Sequence, residues 1–373
     1  MNTVSEFTKL FKNKTIFITG HTGFIGSWLS FWLTSMGSKV IGYSLEPPTN
    51  PSLFDVLGLK DSLTHIIGDV NDKTKLYESI FTSNPDFVFH LAAQPLVTQS
   101  YEKPIETFQT NIMGTANLLD SIKQMSSISV CIVFTSDKCY ENRETNHAYT
   151  ENDPVGGHDP YSASKGSAEL IVQSYRNSFF KNSNDEQSTS IATIRSGNVI
   201  GGGDWAENRI VPDCIKSLIN DKPIPLRNPQ SIRPWQHVLE PISGMFCLAK
   251  KMWEDRFSYS EPWNFGPDIT NTMNVKELVE QIINEWGMGG WEDISHNDAP
   301  HEAKSLMLDS SKAKKSLDWN PVYSTKEAIE QTTKWYKEYY EKNADMRDFT
   351  LSQIAEYVRK AEQLNIIWAK NTL

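Results

Sequence analysis

Residues 15 to 33 read TIFITGHTGFIGSWLSFWL, and no other stretch restricts the fold as tightly. Thr15 to Thr19 is a short apolar run, glycines at 20, 23 and 26 interrupt it, and Ser27 to Leu33 is apolar with a helical period, so the order is strand, glycine turn, helix. Glycines at that spacing turn the chain tightly, bring backbone N–H groups close to a pyrophosphate and let the helix close on the strand. The helix N-terminus then favours the anion. Gly20, Gly23, Phe24, Ile25 and Gly26 are therefore candidate contacts to a dinucleotide. A second strand, Lys39 to Ser44, follows at the distance of one βαβ unit. The carboxylate available for an adenosine ribose is Glu46, slightly later than the usual spacing, with Ser44 as its competitor; the plainer reading of Glu46 is a solvated loop residue ahead of Pro47 and Pro48.

Strand-like runs recur at Leu63 to Ile67, Asp86 to His90, Val130 to Thr135 and Ile191 to Ile194, separated by helical patterns such as Lys73 to Thr82 and Phe108 to Met125. This alternation predicts an α/β chain with a doubly wound parallel sheet of Rossmann type. Ligands in such sheets sit beyond the carboxyl ends of the strands. Asp69-Val70, Leu91-Ala92-Ala93-Gln94, Ser136-Asp137-Lys138 and Arg195-Ser196-Gly197-Asn198 all fall there. From about Gly201 the texture changes to Gly-, Pro- and Trp-rich loops with short helices. The expected division is a cofactor-binding domain over 1–195 and a smaller α/β substrate-binding lobe over 196–373, with some segments returning to the first domain. Residues 181–190, KNSNDEQSTS, read as a surface loop. The tail from Asp348 reads as a helix with Leu351, Ile354, Ala355 and Val358 on one stripe, packing on the core or on a neighbouring subunit.

Ser136-Asp137-Lys138 and Tyr161-Ser-Ala-Ser-Lys165 supply a hydroxyl, a carboxylate, an amine and a phenol–lysine pair, the parts of a proton-moving site. A phenol with a pKa of about 10 is a poor base at neutral pH. One helical turn from Lys165, an ammonium can favour its ionised form. Many solvated helices also carry Tyr and Lys at this spacing.

With 36 basic and 46 acidic residues the formal charge is −10, which argues against a nucleic-acid or anionic-membrane surface. Anionic ligands must then be met by local basic groups. The first arginine is Arg143, so the glycine-rich half has none for a 2′-phosphate, which favours NAD over NADP unless Lys39 or Lys60 substitutes. Arg195, Arg209, Arg227 and Arg233 fit a phosphorylated or nucleotide-carrying substrate, although each can equally form a structural ion pair. Cys131, Cys139, Cys214 and Cys247 show no CxxC pair, His90 and His237 read as packing residues, and no metal is expected. No signal peptide or bilayer-long apolar stretch is evident, so a cytoplasmic location is expected.

The strings GHTGFIG, HLAAQ at 90–94, TNIMGT at 110–115 and YSASK resemble the extended short-chain dehydrogenase/reductase family over nearly the whole chain. TSDKCYEN at 135–142, HDPYSASKGSAE at 158–169, RSGNVIGGGDWAENRIVPD at 195–213 and RPWQHVLEP at 233–241 resemble its branch that dehydrates cytidine diphosphate sugars. Relatives acting on dTDP-sugars carry Asp-Glu where this chain has Asp137-Lys138. The resemblance implies NAD on Gly20, Gly23 and Gly26, with Asp69 and Val70 near the adenine and Leu91, Ala92, Ala93 and Asn111 along the rest of the cofactor. It places Lys165 on the nicotinamide ribose and the nucleotide sugar against Gln94, Asn198, Arg209 and Arg233. Tyr161 would take the C4 hydroxyl proton with help from Ser136. A neutral Lys138 would then take the C5 proton as Asp137 protonates the departing C6 hydroxyl, the reverse acid–base assignment staying open. The resemblance further implies a homo-oligomer, dimer or tetramer, in deoxysugar supply for O-antigen and lipopolysaccharide. The competing readings are a 4-epimerase, a dehydratase for another nucleotide, and a non-catalytic NAD-binding regulator.

Overall fold

The computed structural model describes residues 6–145, 147–180, 189–268, 272–295, 306–342 and 344–370; most of the loop expected over 181–190 lies outside them. Seven strands form one sheet: β1 (Thr15–Thr19), β2 (Lys39–Ser44), β3 (Thr64–Ile67), β4 (Phe87–His90), β5 (Val130–Phe134), β6 (Ser190–Arg195) and β7 (Pro262–Asn264). Their order is β7-β6-β5-β4-β1-β2-β3 with every pairing parallel. The connections thus run outward in both directions from between β1 and β4. That is where a doubly wound sheet opens a crevice at its carboxyl edge.

Alternate residues of each strand face opposite layers, so each strand feeds two cores. Ile16 and Ile18 of β1, with Val130 and Ile132 of β5, join the larger cluster. Phe17, Cys131 and Val133 join the other. The larger layer holds α1 (Phe24–Ser35), whose Trp28, Leu29, Trp32 and Leu33 are buried. The opposite layer holds the helices Lys73–Ser83 and Gly114–Ile122 and the helix α2 (Pro160–Tyr175), through Leu76, Leu118 and Val172.

Beyond β6 the chain builds a lobe over the carboxyl edge from α3 (Ile210–Leu218) and the strand Ile224–Leu226, then α4 (Leu239–Glu254) packs back on the sheet face beside α1, and β7 returns to the sheet beside β6. Two late helices, α5 (Thr325–Glu341) and α6 (Met346–Gln363), close the larger core. In α6 the expected stripe is rotated: Leu351 and Ala355 are exposed and Val358 is only half-buried, while Gln353, Ile354, Tyr357 and Ala361 are buried. The reason is polar. Tyr357 donates to the buried carboxylate of Glu240 at 2.8 Å, and Gln353 donates to the Gln331 carbonyl at 2.8 Å, so hydrogen bonds as well as apolar contact set the facing side. The four cysteines are free and buried, and among the described residues no helix is long and apolar enough to cross a membrane.

Candidate active site

A cavity of about 950 Å³ runs along the carboxyl edge, from the turn after β1 to the lobe beyond β6. At one end Gly20 adopts φ +76°, and a Cβ there would lie 2.6 Å from the backbone N of Ala92 after β4. A Cβ on Gly26 would lie 2.1 Å from the Gly20 carbonyl oxygen, so α1 closes directly on the turn. Gly23 is the N-cap of α1 and supplies no side-chain cap. A Cβ on it would meet nothing nearer than the Gly20 oxygen at 3.4 Å. Open space therefore faces an uncapped helix N-terminus, and a dinucleotide pyrophosphate fits it. Phe24, Ile25, Glu46, Asp69, Val70, Leu91, Ala92 and Ala93 line the same end. Glu46 is exposed at the rim, and the Ser44 hydroxyl is 2.8 Å from that of Thr22.

The middle of the cavity is built on the end of β5 and the start of α2. Ser136 N-caps a single 3-10 turn, Asp137–Cys139, its hydroxyl accepting from Lys138 N at 3.2 Å and donating to Asp137 Oδ1 at 3.0 Å. The same hydroxyl also pulls the Tyr161 phenol down, so it lies near both the carboxyl and the phenol. Asp137 is 2% exposed and also accepts from Asn198 Nδ2 at 3.3 Å. Burial holds its carboxyl above the ordinary carboxylate range, against the opposing pull of Lys138, the Ser136 hydroxyl and Arg233. Lys138 is half-buried on the cavity wall.

α2 starts with Asp159 as N-cap, accepting from Ser162 N at 2.9 Å, and Pro160 in its first turn, which sets Tyr161 and Lys165 on one face. Burial pushes the Tyr161 phenol up to about 12; the Ser136 hydroxyl and Arg209 pull it down, while Asp137 and Asp159 add to the rise. Burial also brings the Lys165 amine down to about 8. Lys165 Nζ lies 6.0 Å from the Tyr161 ring centroid and donates to the Phe134 carbonyl at 3.4 Å, and Arg209 is a further cation that pulls the phenol down.

Asn198, Arg209 and Arg233 line the cavity. Two expected contacts do not. Gln94 turns back on its own loop, its Nε2 donating to Leu96 O at 3.0 Å and to Thr107 Oγ1 at 2.9 Å. Asn111 is buried behind the wall, where it accepts from Gln94 N at 2.8 Å and donates to Ser164 Oγ at 2.8 Å. Both side chains are consumed in shaping the loop after β4. Arg195 is likewise no anion ligand: it is buried against Glu169, 2.8 Å away, and donates to the Tyr140 hydroxyl at 2.9 Å.

Two supporting carboxylates escaped the sequence reading. Glu169, one turn beyond Lys165 on α2, accepts from Thr135 at 2.5 Å, Thr193 at 2.8 Å and Arg195, tying α2 to the end of β5 and to β6. Its place on the Tyr161–Lys165 face was the available signal. Asp204, whose Oδ2 is 2.9 Å from Arg209 Nη1, aims that guanidinium, and Tyr336 of α5 donates to the Asp204 carbonyl and accepts from its N–H at 3.0 Å. Nothing local in GGGDW announced that role.

Residues 17–332 match the model of the GDP-mannose 4,6 dehydratase family. The chain is 47% identical to a CDP-glucose 4,6-dehydratase of Salmonella typhimurium over 93% of its own length and 97% of that protein's. It is 26% identical to a CDP-paratose 2-epimerase of Salmonella typhi, covering 86% of this chain and 98% of that one. Among solved structures, dTDP-glucose 4,6-dehydratase from Bacillus anthracis in complex with NAD superposes with a TM-score of 0.72 at 24% identity, over 90% of this chain and 99% of that one.

Proposed function

We propose, for a chain that belongs to the GDP-mannose 4,6-dehydratase family of extended short-chain dehydrogenases/reductases, that it converts CDP-glucose into CDP-4-keto-6-deoxyglucose. In reaction class it is a carbon–oxygen lyase. The cofactor in this reading is NAD, held by the amides of the Gly20–Gly26 turn, with Asp69 and Val70 at the adenine, Glu46 or Ser44 at its ribose, Leu91, Ala92 and Ala93 along its length and Lys165 at the nicotinamide ribose. When bound, it supplies the acceptor for the hydride leaving C4 and the donor that returns it to C6, leaving no net redox change.

Tyr161 Oη takes the C4 hydroxyl proton, and Ser136 Oγ orients that hydroxyl. A phenol pushed up to about 12 needs a positive charge beside it to act at neutral pH, and Arg209 gives part of it. Once C4 is a ketone, the C5 proton is acidic. Lys138 Nζ removes it, the C5–H electrons form the C5–C6 double bond, and the C6–O bond breaks as Asp137 hands its proton to the departing hydroxyl. Water leaves. The reverse assignment needs Asp137 ionised, which its burial opposes. Arg209 and Arg233 meet the diphosphate, and Asn198 lies beside them.

The observation that carries this reading is Asp137: a buried carboxyl biased toward its protonated form, hydrogen-bonded to Ser136 and followed by Lys138. A 4-epimerase, which expels no hydroxyl, has no work for that acid. We take residues 1–195 as the cofactor domain and 196–373 as mainly the substrate lobe of a cytoplasmic homo-oligomer feeding deoxysugar supply for O-antigen and lipopolysaccharide. The test is to offer CDP-, dTDP-, UDP- and GDP-glucose separately with NAD. A 4-keto-6-deoxy product from CDP-glucose supports the reading; epimerised sugar with no keto product, or turnover confined to another base, overturns it.

A further inference from the structure

Asp213 puts a carboxylate on the wall of a cavity that the reading above fills with a dianionic ligand. It lies in the first turn of α3, whose N-cap is Arg209, and is half-buried. Val211 and Pro212, with Pro225, Leu226 and Arg227 from the strand Ile224–Leu226 and the residue after it, line the same end of the cavity. The groups around the carboxylate are all identifiable. Burial opposes its negative charge most and Glu207 adds to that, while Arg227, the nearby Asn208 backbone N–H and Lys216 favour it. Arg227 Nη2 donates to Asn208 Oδ1 at 3.3 Å, so acid and base are held by one loop.

The orientation of a nucleotide sugar follows from the chain's own groups, and this step rests on the function proposed above. The reacting carbons lie at Ser136, Asp137 and Tyr161, and the diphosphate lies at Arg209 and Arg233. The nucleoside must then continue past Arg209, along the first turn of α3 and toward residues 225–227. A carboxylate there repels phosphate and any carbonyl oxygen, and it accepts from an N–H donor. Among the pyrimidines, cytosine presents an exocyclic amine at the position where uracil and thymine present a carbonyl oxygen. We propose that Asp213 is the residue that selects cytosine, accepting from its 4-amino group, with Arg227 donating to the ring acceptors beside it. Uracil or thymine in the same pose turns its O4 lone pairs on the carboxylate, and that repulsion does the excluding.

A purely structural Asp213, holding the 207–209 loop through Asn208, would weaken every nucleotide alike. The test therefore reads a ratio. Wild type, Asp213→Asn and Arg227→Gln are assayed for kcat/KM with CDP-, UDP- and dTDP-glucose, and for binding of CDP and UDP alone by calorimetry. The expected result is a drop of about tenfold or more in the CDP-over-UDP preference of Asp213→Asn, in both turnover and binding. Arg227→Gln should lose affinity for CDP. An unchanged ratio in Asp213→Asn, with all affinities falling together, overturns the proposal and leaves the dehydratase reading intact. If wild type refuses CDP-glucose, the dehydratase reading has failed first, and the assignment of cytosine to Asp213 falls with it. Should Asp213→Asn not fold, Asp213→Ser removes the charge with a smaller side chain and is read by the same ratio.

Discussion

Gly197 sits directly over the Asp137 carboxyl, and adding one methyl group there tests the acid's role without touching its chemistry. An ideal Cβ on Gly197 would lie 2.0 Å from Asp137 Oδ2 and 2.1 Å from its Cγ. Real Cβ contacts stay beyond 3.0 Å, so Gly197→Ala must separate the two by at least 3.0 − 2.0, or about 1 Å. The carboxyl has little room to yield. It is held by Ser136 Oγ at 3.0 Å and Asn198 Nδ2 at 3.3 Å, and its own backbone N–H donates to the Ser196 carbonyl at 3.4 Å. Overpacking of this kind costs about 1–3 kcal/mol of stability. A displacement of about 1 Å in a reacting group costs roughly 10²-fold in rate. Because Tyr161 and Lys165 stand on α2 and not on the Gly197 loop, C4 oxidation should be spared. In a single turnover with CDP-glucose, the near-ultraviolet absorbance of reduced nicotinamide should rise at close to the wild-type rate and then persist, while release of the keto product falls about a hundredfold. Product release at the wild-type rate would refute the assignment of Asp137 as the acid. Equal slowing of both phases would show that the methyl group disturbs the whole site.

Tyr161→Phe should suppress the first appearance of reduced nicotinamide by roughly 10²–10⁴-fold; a variant that still oxidises C4 at the wild-type rate would show that another base acts. Arg195→Ala strips a partner from Glu169, whose side chain is 5% exposed, and should lower unfolding free energy by about 3–5 kcal/mol in urea titration, whereas an anion-binding arginine would instead raise KM and leave stability alone. Glu240 gives a pH signature, since burial pushes its carboxyl from 4.5 up to about 7. The folded chain then binds the proton more tightly than the unfolded one, so the stability this group contributes is present below about 4.5 and is lost as the pH rises to about 7. With 7 − 4.5 = 2.5 pKa units at 1.36 kcal/mol each, the loss is about 3 kcal/mol. Glu240→Gln should flatten that slope in urea midpoints measured across the range, and an unchanged slope would assign the pH dependence elsewhere.

The sheet was legible because its determinants are local. An apolar run buried on both faces and closed by glycine or small residues declares a parallel strand, and β2 spans the same residues, Lys39–Ser44, in sequence and structure. Boundaries shifted where a hydrogen bond outweighed hydropathy. The pattern at Phe108 to Met125 splits into a π-helical turn, Gln109–Met113, and the helix Gly114–Ile122, where the Thr115 hydroxyl donates to the Asn111 carbonyl at 2.7 Å. The candidate site divided along a different line. Residues whose backbone forms the wall, such as Gly20, Gly23, Leu91 and Ala92, lie where their spacing put them, because strand ends and helix starts fix backbone positions. Polar side chains did not follow so simply. Gln94, Asn111 and Arg195 carry chemistry that suits a ligand equally well, and only the fold shows that Thr107, Ser164 and Glu169 reach them first.

The same limit governs the acid–base pair, for which type and spacing say nothing of protonation. Asp137 and Lys138 are adjacent, and their order in the sequence says nothing of how differently each is surrounded. The single 3-10 turn capped by Ser136 separates their surroundings, burying the carboxyl at 2% exposure while the lysine remains half-buried. Desolvation raises the Asp137 carboxyl above its ordinary range against the pull of Lys138, which suits the proton donor proposed for it. The proposed elimination needs two proton transfers at neighbouring carbons, and a turn of three residues gives the two proposed groups unequal burial.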